Sequence, residues 1–465
     1  MLSKSDFLIF LDTPLHLWAL KHNQYHRELT ELDKQVIQHG REVEDNAKRY
    51  IEQYISKDYE YQKRFETLNT LAITDFTVLN KETNKYDIYE IKSSTDVKLD
   101  MEFDVSFQYF TASQVVDVGN IYLVHLNKNY LRDGELNLRE LFVVKDMTDI
   151  AKHRFNDIEI LIEQALTVLD NDNPSDIEGC YKPKTCPSLD LCYPQLPEHS
   201  IYELANLDKT RIIRLKEAGI IDMNDIPDNF DLGHRQRLQI QSLKENRAII
   251  DQEKLTTFLN RIKYPIYFLD YESYSWAIPK YNQHKVYQPV VFQYSLHKQQ
   301  DVNTKLDHYE YVSTNKEDIT KELVVDLLKH IGDEGSILVW NKQFEMGCNR
   351  EMARIYPEYA ERLRALNNRV IDLGDIFSKQ MYVDYKFHGS WSIKNVLPVL
   401  INDLDYSKMD IGNGIEAMNN WNDLVFNEDI DPITKEKIKQ NLLKYCGLDT
   451  YAMVEILNMM KSKIA

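Results

Sequence analysis

The sequence predicts an α/β protein built from two domains of comparable size, and three observations carry that prediction. The chain has 465 residues, too many for one ordinary hydrophobic core. Each half contains short apolar runs of strand length followed by longer segments of helical period, the alternation of an α/β chain. Between the halves lies a Pro- and Cys-rich stretch that reads as a boundary, which places domain limits at 1–197 and 256–465, with a small helical linker over 198–255.

Taken in order, the first seventy residues have helical periodicity with many charges. Two strand-like runs follow, Leu71–Leu79 and Tyr86–Lys92, separated by the polar turn Asn80–Lys85. A mixed stretch from Asp104 leads to the apolar run Ile121–Leu126 and a helix over Asp157–Leu169. The linker contains Lys216-Glu-Ala-Gly-Ile-Ile-Asp-Met-Asn-Asp-Ile-Pro227, a glycine hairpin between apolar segments of the helix-hairpin-helix kind. From Tyr264 a second α/β pattern begins, with strands at Ile266–Leu269, Val290–Leu296 and Ile337–Trp340, then helices to the end.

The formal net charge of −18 argues against a generic nucleic-acid coat protein, which needs Lys and Arg to displace condensed counterions. It is compatible with a metal enzyme, because sites for divalent cations are built from Asp and Glu and the bound ion inverts the local sign. Asp6, Asp12 and His16 interrupt the N-terminal stretch where a signal peptide would be apolar, and no window is apolar enough to span a bilayer. A cytoplasmic protein without membrane association is expected. The chain has five cysteines; three of them cluster, and in a reducing compartment a metal or cluster explains such a group better than disulfides.

The first chemistry-bearing group lies in Tyr86-Asp-Ile-Tyr-Glu-Ile-Lys92. Glu90 and Lys92 stand two apart on a strand and so share a face. If the polar turn closes a hairpin, Asp75 stands opposite Glu90 and adds a second carboxylate. Two carboxylates and a lysine suit metal-assisted phosphodiester hydrolysis, the metal activating water and the lysine orienting it or stabilising the transition state. The order Ile73-Thr-Asp-Phe76, Glu90-Ile-Lys-Ser-Ser-Thr95 and Phe107-Gln-Tyr109, preceded by Gly40-Arg-Glu-Val-Glu44, resembles the RecB-like branch of the PD-(D/E)xK nucleases. The resemblance implies a restriction-endonuclease-like fold, metal ligands at Glu44, Asp75 and Glu90, a catalytic Lys92, and Gln108 assisting near the substrate. On a charged helix, Glu44 also reads as a solvated surface residue.

Cys180-x5-Cys186-x5-Cys192, broken by Pro183 and Pro187, forms a loop able to turn three thiolates toward one centre, for an iron–sulfur cluster or zinc. Either needs a fourth ligand. RecB-like relatives that hold a 4Fe-4S cluster supply a cysteine before an N-terminal proline, where Leu11-Asp-Thr-Pro-Leu15 has Thr13 instead. A cluster with another ligand, a zinc site and three free thiols all remain open.

The second group begins with Ile266-Tyr-Phe-Leu-Asp-Tyr-Glu272, an apolar strand that ends in Asp270 and Glu272 on one face. Ile337-Leu-Val-Trp-Asn-Lys-Gln-Phe-Glu345 is a strand running into a helix, delivering Asn341 and Glu345. In Tyr445-Cys-Gly-Leu-Asp449, the i, i+4 spacing stacks the phenol over the carboxylate. Four carboxylates from separate elements suit a pair of divalent cations, with Tyr445 positioning the nucleophile. This order resembles the DnaQ-like, RNase H-fold exonucleases of the DEDD type with tyrosine in the third motif, most of which have Asp where this chain has Glu345. Asp372, after Val370-Ile, reads either as an auxiliary ligand or as a helix cap.

Phe387-His-Gly-Ser-Trp-Ser-Ile-Lys-Asn-Val-Leu-Pro398, Gly412–Ala417 and Leu443-Lys-Tyr-Cys-Gly-Leu-Asp-Thr-Tyr-Ala-Met453 resemble blocks of a bacterial family known as domain of unknown function 2779. That resemblance implies a RecB-like half joined to a DnaQ-like 3'-5' exonuclease half. Gly389, Ser390, Ser392 and Lys394 read as a small-residue loop able to approach a phosphate backbone, or as a tight turn before a core helix. The expectation is a nuclease with two sites that use Mg2+ or Mn2+ and a nucleic-acid partner, DNA ahead of RNA. An exonuclease acting on RNA and a binding scaffold with decayed sites are the competing readings.

Overall fold

The computed structural model describes residues 1–404, 406 and 409–464. It is an α/β structure, and it divides into two compact units: Met1–Gln195 with Trp276–Gln288, and Leu196–Ser275 with Pro289–Ala465. The segment expected as a separate linker, 198–255, falls inside the second unit.

The first unit is organised by a sheet of β1 (Leu2–Ser3), β2 (Glu60–Glu66), β3 (Thr70–Asn80), β4 (Lys85–Lys92), β5 (Val118–Leu126) and β6 (Phe142–Asp146). Their order is β1-β3-β4-β5-β6, with β2 also on β3. β3 and β4 form the expected hairpin, pairing Phe76 with Tyr89 and Thr77 with Ile88, a register that carries Asp75 opposite Glu90. Helix Glu31–Tyr54 starts at a capping box between Thr30 and Asp33, which satisfies two backbone donors. Its His39, Val43, Ala47 and Ile51 recur every four residues and are buried. The last three pack with Phe76, Val78, Tyr89 and Ile91 of the sheet. Helix Leu99–Ser113 belongs to another cluster, where Met101, Val105, Tyr109 and Ala112 meet Ile88 and Ile121.

Two parts of this unit depart from the sequence expectation. The charged run before residue 70 is not helical throughout, because Glu60–Glu66 pairs antiparallel with β3. Only Phe65 of that strand is buried, so an edge strand covered in charge offered almost no period-two apolar signal. The second departure is the return of Trp276–Gln288 to the first unit. Ala277, Ile278 and Val286 join its core, and the Tyr287 hydroxyl donates to the Ser93 carbonyl at 2.7 Å.

The second unit is built on β8 (Ile266–Tyr274), β9 (Val290–Gln299), β10 (Leu306–Val312), β11 (Ser336–Val339) and β12 (Val370–Asp372), in the order β10-β9-β8-β11-β12. β9 runs antiparallel to β8 and β10, and β11 parallel to β8 and β12. A short pair, β7 (Ile249–Ile250) and β13 (Tyr382–Val383), stands apart. One face of the large sheet buries Tyr267, Leu269, Tyr271 and Leu296 against Leu323 and Leu327 of helix Lys321–His330 and Cys348 and Met352 of helix Lys342–Ile355. The glycine hairpin of 216–227 lies between helices Lys209–Glu217 and His234–Glu245, with Gly219 at φ +72° making the left-handed turn that ends the first helix.

Helix Pro432–Ser462 is capped by Asp431, whose carboxylate accepts from the Ile433 and Thr434 amides, and it starts with proline where no amide donor is needed. It contacts β8 and β9 and reaches His297 of β9, whose ring pairs with the Thr450 hydroxyl at 2.8 Å and stacks on His308 at 4.1 Å. Burial, followed by the neighbouring His308, pushes the His297 pKa from 6.5 down to about 3. A depressed histidine gives stability that is complete above the unfolded value and is lost as pH falls toward the folded one. Lowering the pH from 7 to about 5 is therefore expected to cost the wild type up to about 2 kcal/mol through this ring. Comparing urea unfolding of wild type and His297→Gln across that window checks it: the variant should lose less stability than the wild type on acidification.

Candidate active site

In the second unit, strand β8 carries the first two acids of the candidate site. Its outer residues alternate, so Asp270 and Glu272 emerge on one face while Leu269 and Tyr271 enter the core on the other. Helix Pro432–Ser462 brings Asp449 to the same face. Ligand oxygens of Asp270, Glu272 and Asp449 lie within 4.8 Å of one another, and this is one of two places where three or more candidate metal ligands converge among the described residues. Burial and the Asp449 charge push the Asp270 carboxyl well above its ordinary range, and burial with Asp270 does the same to Glu272. Asp449 is raised by burial to about 6, against the pull of hydrogen bonds from Tyr406 and Tyr445 and of the Lys394 charge. Three clustered acids with one nearby ammonium are an anionic set short of positive charge, and hard oxygen donors of this kind fit Mg2+ or Mn2+.

Around the triad the structure adds Tyr406 and Cys446, which sequence motifs had not singled out, and brings up Lys394, which they had. The Tyr406 hydroxyl donates to Asp449 at 2.5 Å, and the Cys446 thiol faces Asp270 Oδ2 at 3.3 Å. Lys394 lies with its ammonium 5.2 Å from the Tyr445 ring and 5.4 Å from that of Tyr406, and donates to the Gly412 carbonyl at 2.8 Å. Lys394, expected on a small-residue loop or a tight turn before a core helix, stands in the first turn of helix Ile393–Leu400, close to the charges of Asp449 and Glu272. Ser392, exposed, stands at the N-terminal cap position of helix Ile393–Leu400 and makes no side-chain capping hydrogen bond. Gly389, at φ +72°, has no room for a side chain: a Cβ there would meet the Glu203 carbonyl oxygen at 2.2 Å.

Glu345 stands next to the triad without joining its tight group. It is 2 % exposed, its Oε2 has no hydrogen-bond partner, and burial plus the Asp270 charge raises it to about 9. It sits in the first turn of helix Lys342–Ile355, which begins at the exposed Asn341. Asp372 is spent on backbone amides, accepting from Lys342 at 3.0 Å and Gly374 at 3.0 Å. The first of these amides opens helix Lys342–Ile355.

In the first unit, Glu90, Lys92 and Asp75 come together as the hairpin register requires, but with two further residues. Lys92 Nζ is 2.7 Å from Glu90 Oε1 and 2.5 Å from Asp104 Oδ2. Lys4, at the start of helix Lys4–Asp12, reaches the same Glu90 oxygen at 2.7 Å and Asp104 at 3.4 Å. These ammonium groups hold Glu90 down at about 2 despite burial, while Glu90 Oε2 has no hydrogen-bond partner. Asp75, raised to about 8 by burial and the Glu90 charge, accepts from the Ile91 amide at 2.7 Å. Gln108 is fully buried and donates to Asp104 at 2.7 Å, so it braces the acid behind Lys92 instead of facing open solvent. Glu44 accepts from the Tyr61 hydroxyl at 2.7 Å and lies outside both groups of converging ligands.

The stretch from β8 to the loop before Lys394 also has a counterpart elsewhere. Residues 267–392 match the family model described as Domain of unknown function (DUF2779). The match supports that family and covers Asp270, Glu272, Asn341, Glu345 and Asp372. Lys394, Tyr406, Tyr445 and Asp449 lie beyond it, so the DUF2779 match reaches two of the three triad acids. No curated protein matches the chain.

The second convergence of metal-type ligands is His16 with Cys180, Cys186 and Cys192, again within 4.8 Å of one another. The cysteine loop thus comes together as its spacing suggested, with a residue the sequence reading had used only as an argument against a signal peptide. Hydrogen bonding from Cys192 lowers the Cys180 thiol, while burial raises that of Cys186. Among the described residues no helix is long and apolar enough to cross a membrane.

Proposed function

We propose that this protein is a metal-dependent nuclease that hydrolyses phosphodiester bonds, with its principal site at Asp270, Glu272 and Asp449. The convergence of these three acids on one sheet face, Asp449 buried and Asp270 and Glu272 half-buried, with too little positive charge nearby, carries the reading. The strand order β10-β9-β8-β11-β12, with an acid pair on the central strand and Tyr-x3-Asp on the last long helix, is consistent with a DnaQ-like exonuclease domain. When bound, a divalent cation supplies Lewis acidity toward the phosphodiester and acidifies an attacking water. The chain's own part is to hold that cation through Asp270, Glu272 and Asp449, to fix Asp449 through the Tyr406 hydroxyl, and to offer Lys394 to a phosphate oxygen. Tyr445, one turn before Asp449, is suited to position the nucleophile.

The first unit is read as a second, PD-(D/E)xK-type site, with Asp75 and Glu90 as ligands and Lys92 as the catalytic lysine. Lys4 and Lys92 already compensate Glu90, which favours weaker metal binding there than in the second unit. DNA is the proposed polymer, and RNA is decided by the same assay. End-labelled single- and double-stranded DNA and RNA, incubated with Mn2+ or with chelator, should be shortened only in the presence of the metal. Degradation that persists in chelator would remove the proposal.

A further inference from the structure

We propose that His16, Cys180, Cys186 and Cys192 form a closed zinc site that clamps the N-terminal helices to the cysteine loop of the first unit. The donor geometry points to a single ion. His16 Nε2 is 3.4 Å from Cys186 Sγ, and all four donors lie within 4.8 Å of one another. Zinc bound tetrahedrally at about 2.3 Å from sulfur and about 2.0 Å from nitrogen sets its donors about 3.5–3.8 Å apart. A four-iron cube interposes several iron and sulfide atoms between its thiolates and holds them farther apart than a single ion does. Three thiolates and one imidazole also make a complete structural zinc set, with no open position for substrate.

The backbone around the site brings the two segments together independently of the side chains. The Leu15 amide donates to the Glu178 carbonyl at 3.1 Å, and the His26 amide to that of Pro187 at 2.8 Å. The Ser188 hydroxyl adds a bond to the Gln24 carbonyl at 2.7 Å. Pro14 starts helix Pro14–Lys21, so His16 lies in its first turn, and Thr13 just before it makes no side-chain cap. The ligand is one helical turn beyond the position where a cysteine was expected, which explains how the N-terminal segment closes the site without one. Behind the ligands, the Tyr193 hydroxyl lies 3.4 Å from Cys180 Sγ and donates to the Cys180 carbonyl at 2.5 Å. The consequence is stability: metal binding is folding free energy for the elements it joins.

The test measures zinc and iron by elemental analysis in the full-length protein, purified without chelator, for wild type, His16→Ala, Cys186→Ser and His16→Cys. One zinc per chain is expected in the wild type. His16→Ala and Cys186→Ser should hold it at least about tenfold more weakly in a competition titration, and His16→Cys should restore retention because it rebuilds four ligands. Cobalt replacement gives a second readout, since a tetrahedral thiolate site yields intense visible bands that change between wild type and His16→Cys even if the alanine variant folds poorly. Iron with cluster absorbance in the wild type, zinc affinity unaltered by His16→Ala, or no metal retained after exposure to zinc would each overturn the proposal. Hydrolysis at the Asp270 site is not a readout here, so failure of one proposal is distinguishable from failure of the other.

Discussion

Asp270→Asn is expected to lower metal-dependent hydrolysis about a thousandfold, the scale seen when one preorganised electrostatic group is removed from a catalytic site. The substitution keeps the shape of the side chain and removes one of three acids that converge within 4.8 Å. In the absence of added metal the same change should raise thermal stability. Burial and Asp449 already hold the Asp270 carboxyl well above its ordinary range, which means that its ionised form is unfavourable in the folded chain. An amide removes that repulsion, and the opposite signs of the two effects are what a site selected for binding a cation requires. Turnover on a labelled substrate with Mn2+, together with melting curves in chelator, measures both. Loss of activity accompanied by loss of stability would point to a misfolded variant instead.

Lys92→Ala is the second large effect, and here stability and activity should fall together. Lys92 bridges Glu90 and Asp104, whose side chains are 2 % and 3 % exposed, and its removal leaves Lys4 as their remaining ammonium partner. Breaking a buried pair costs about 3 kcal/mol because the surviving charge stays desolvated. Gln108 would be affected as well, since it donates to the same Asp104. Urea unfolding followed by a probe in the first unit should show the midpoint moving down, with the transition of the second unit unchanged. A midpoint equal to that of the wild type would mean that the lysine is not holding the site together.

What the sequence made legible was whatever short-range periodicity encodes. The β3–β4 hairpin could be read because a polar turn separates two alternating strands, and its register alone put Asp75 opposite Glu90. Asp270 and Glu272 were legible as a two-residue step on an apolar strand, and Tyr445 with Asp449 as one helical turn. Contacts set by tertiary packing left no such trace. Lys4 lies 86 residues from Glu90, and Tyr406 lies 43 from Asp449 in a segment with no motif of its own. The excursion of Trp276–Gln288 was hidden for the same reason: it interrupts one unit to complete another. His16 could have been found, because it follows a helix-starting proline close to the expected ligand position, but a single histidine is uninformative until the cysteines converge on it. Glu345 shows the converse limit. The strand-to-helix pattern located it correctly at the start of its helix, yet its carboxylate stands beside the triad and not within it.

The most direct measurement compares wild type, Lys92→Ala, Asp270→Asn and the double variant on end-labelled DNA and RNA with Mn2+. The account predicts that Asp270→Asn removes most of the activity, that Lys92→Ala removes a separate and smaller part, and that the double variant is inert. A double variant that degrades the labelled strands as fast as the wild type would contradict it.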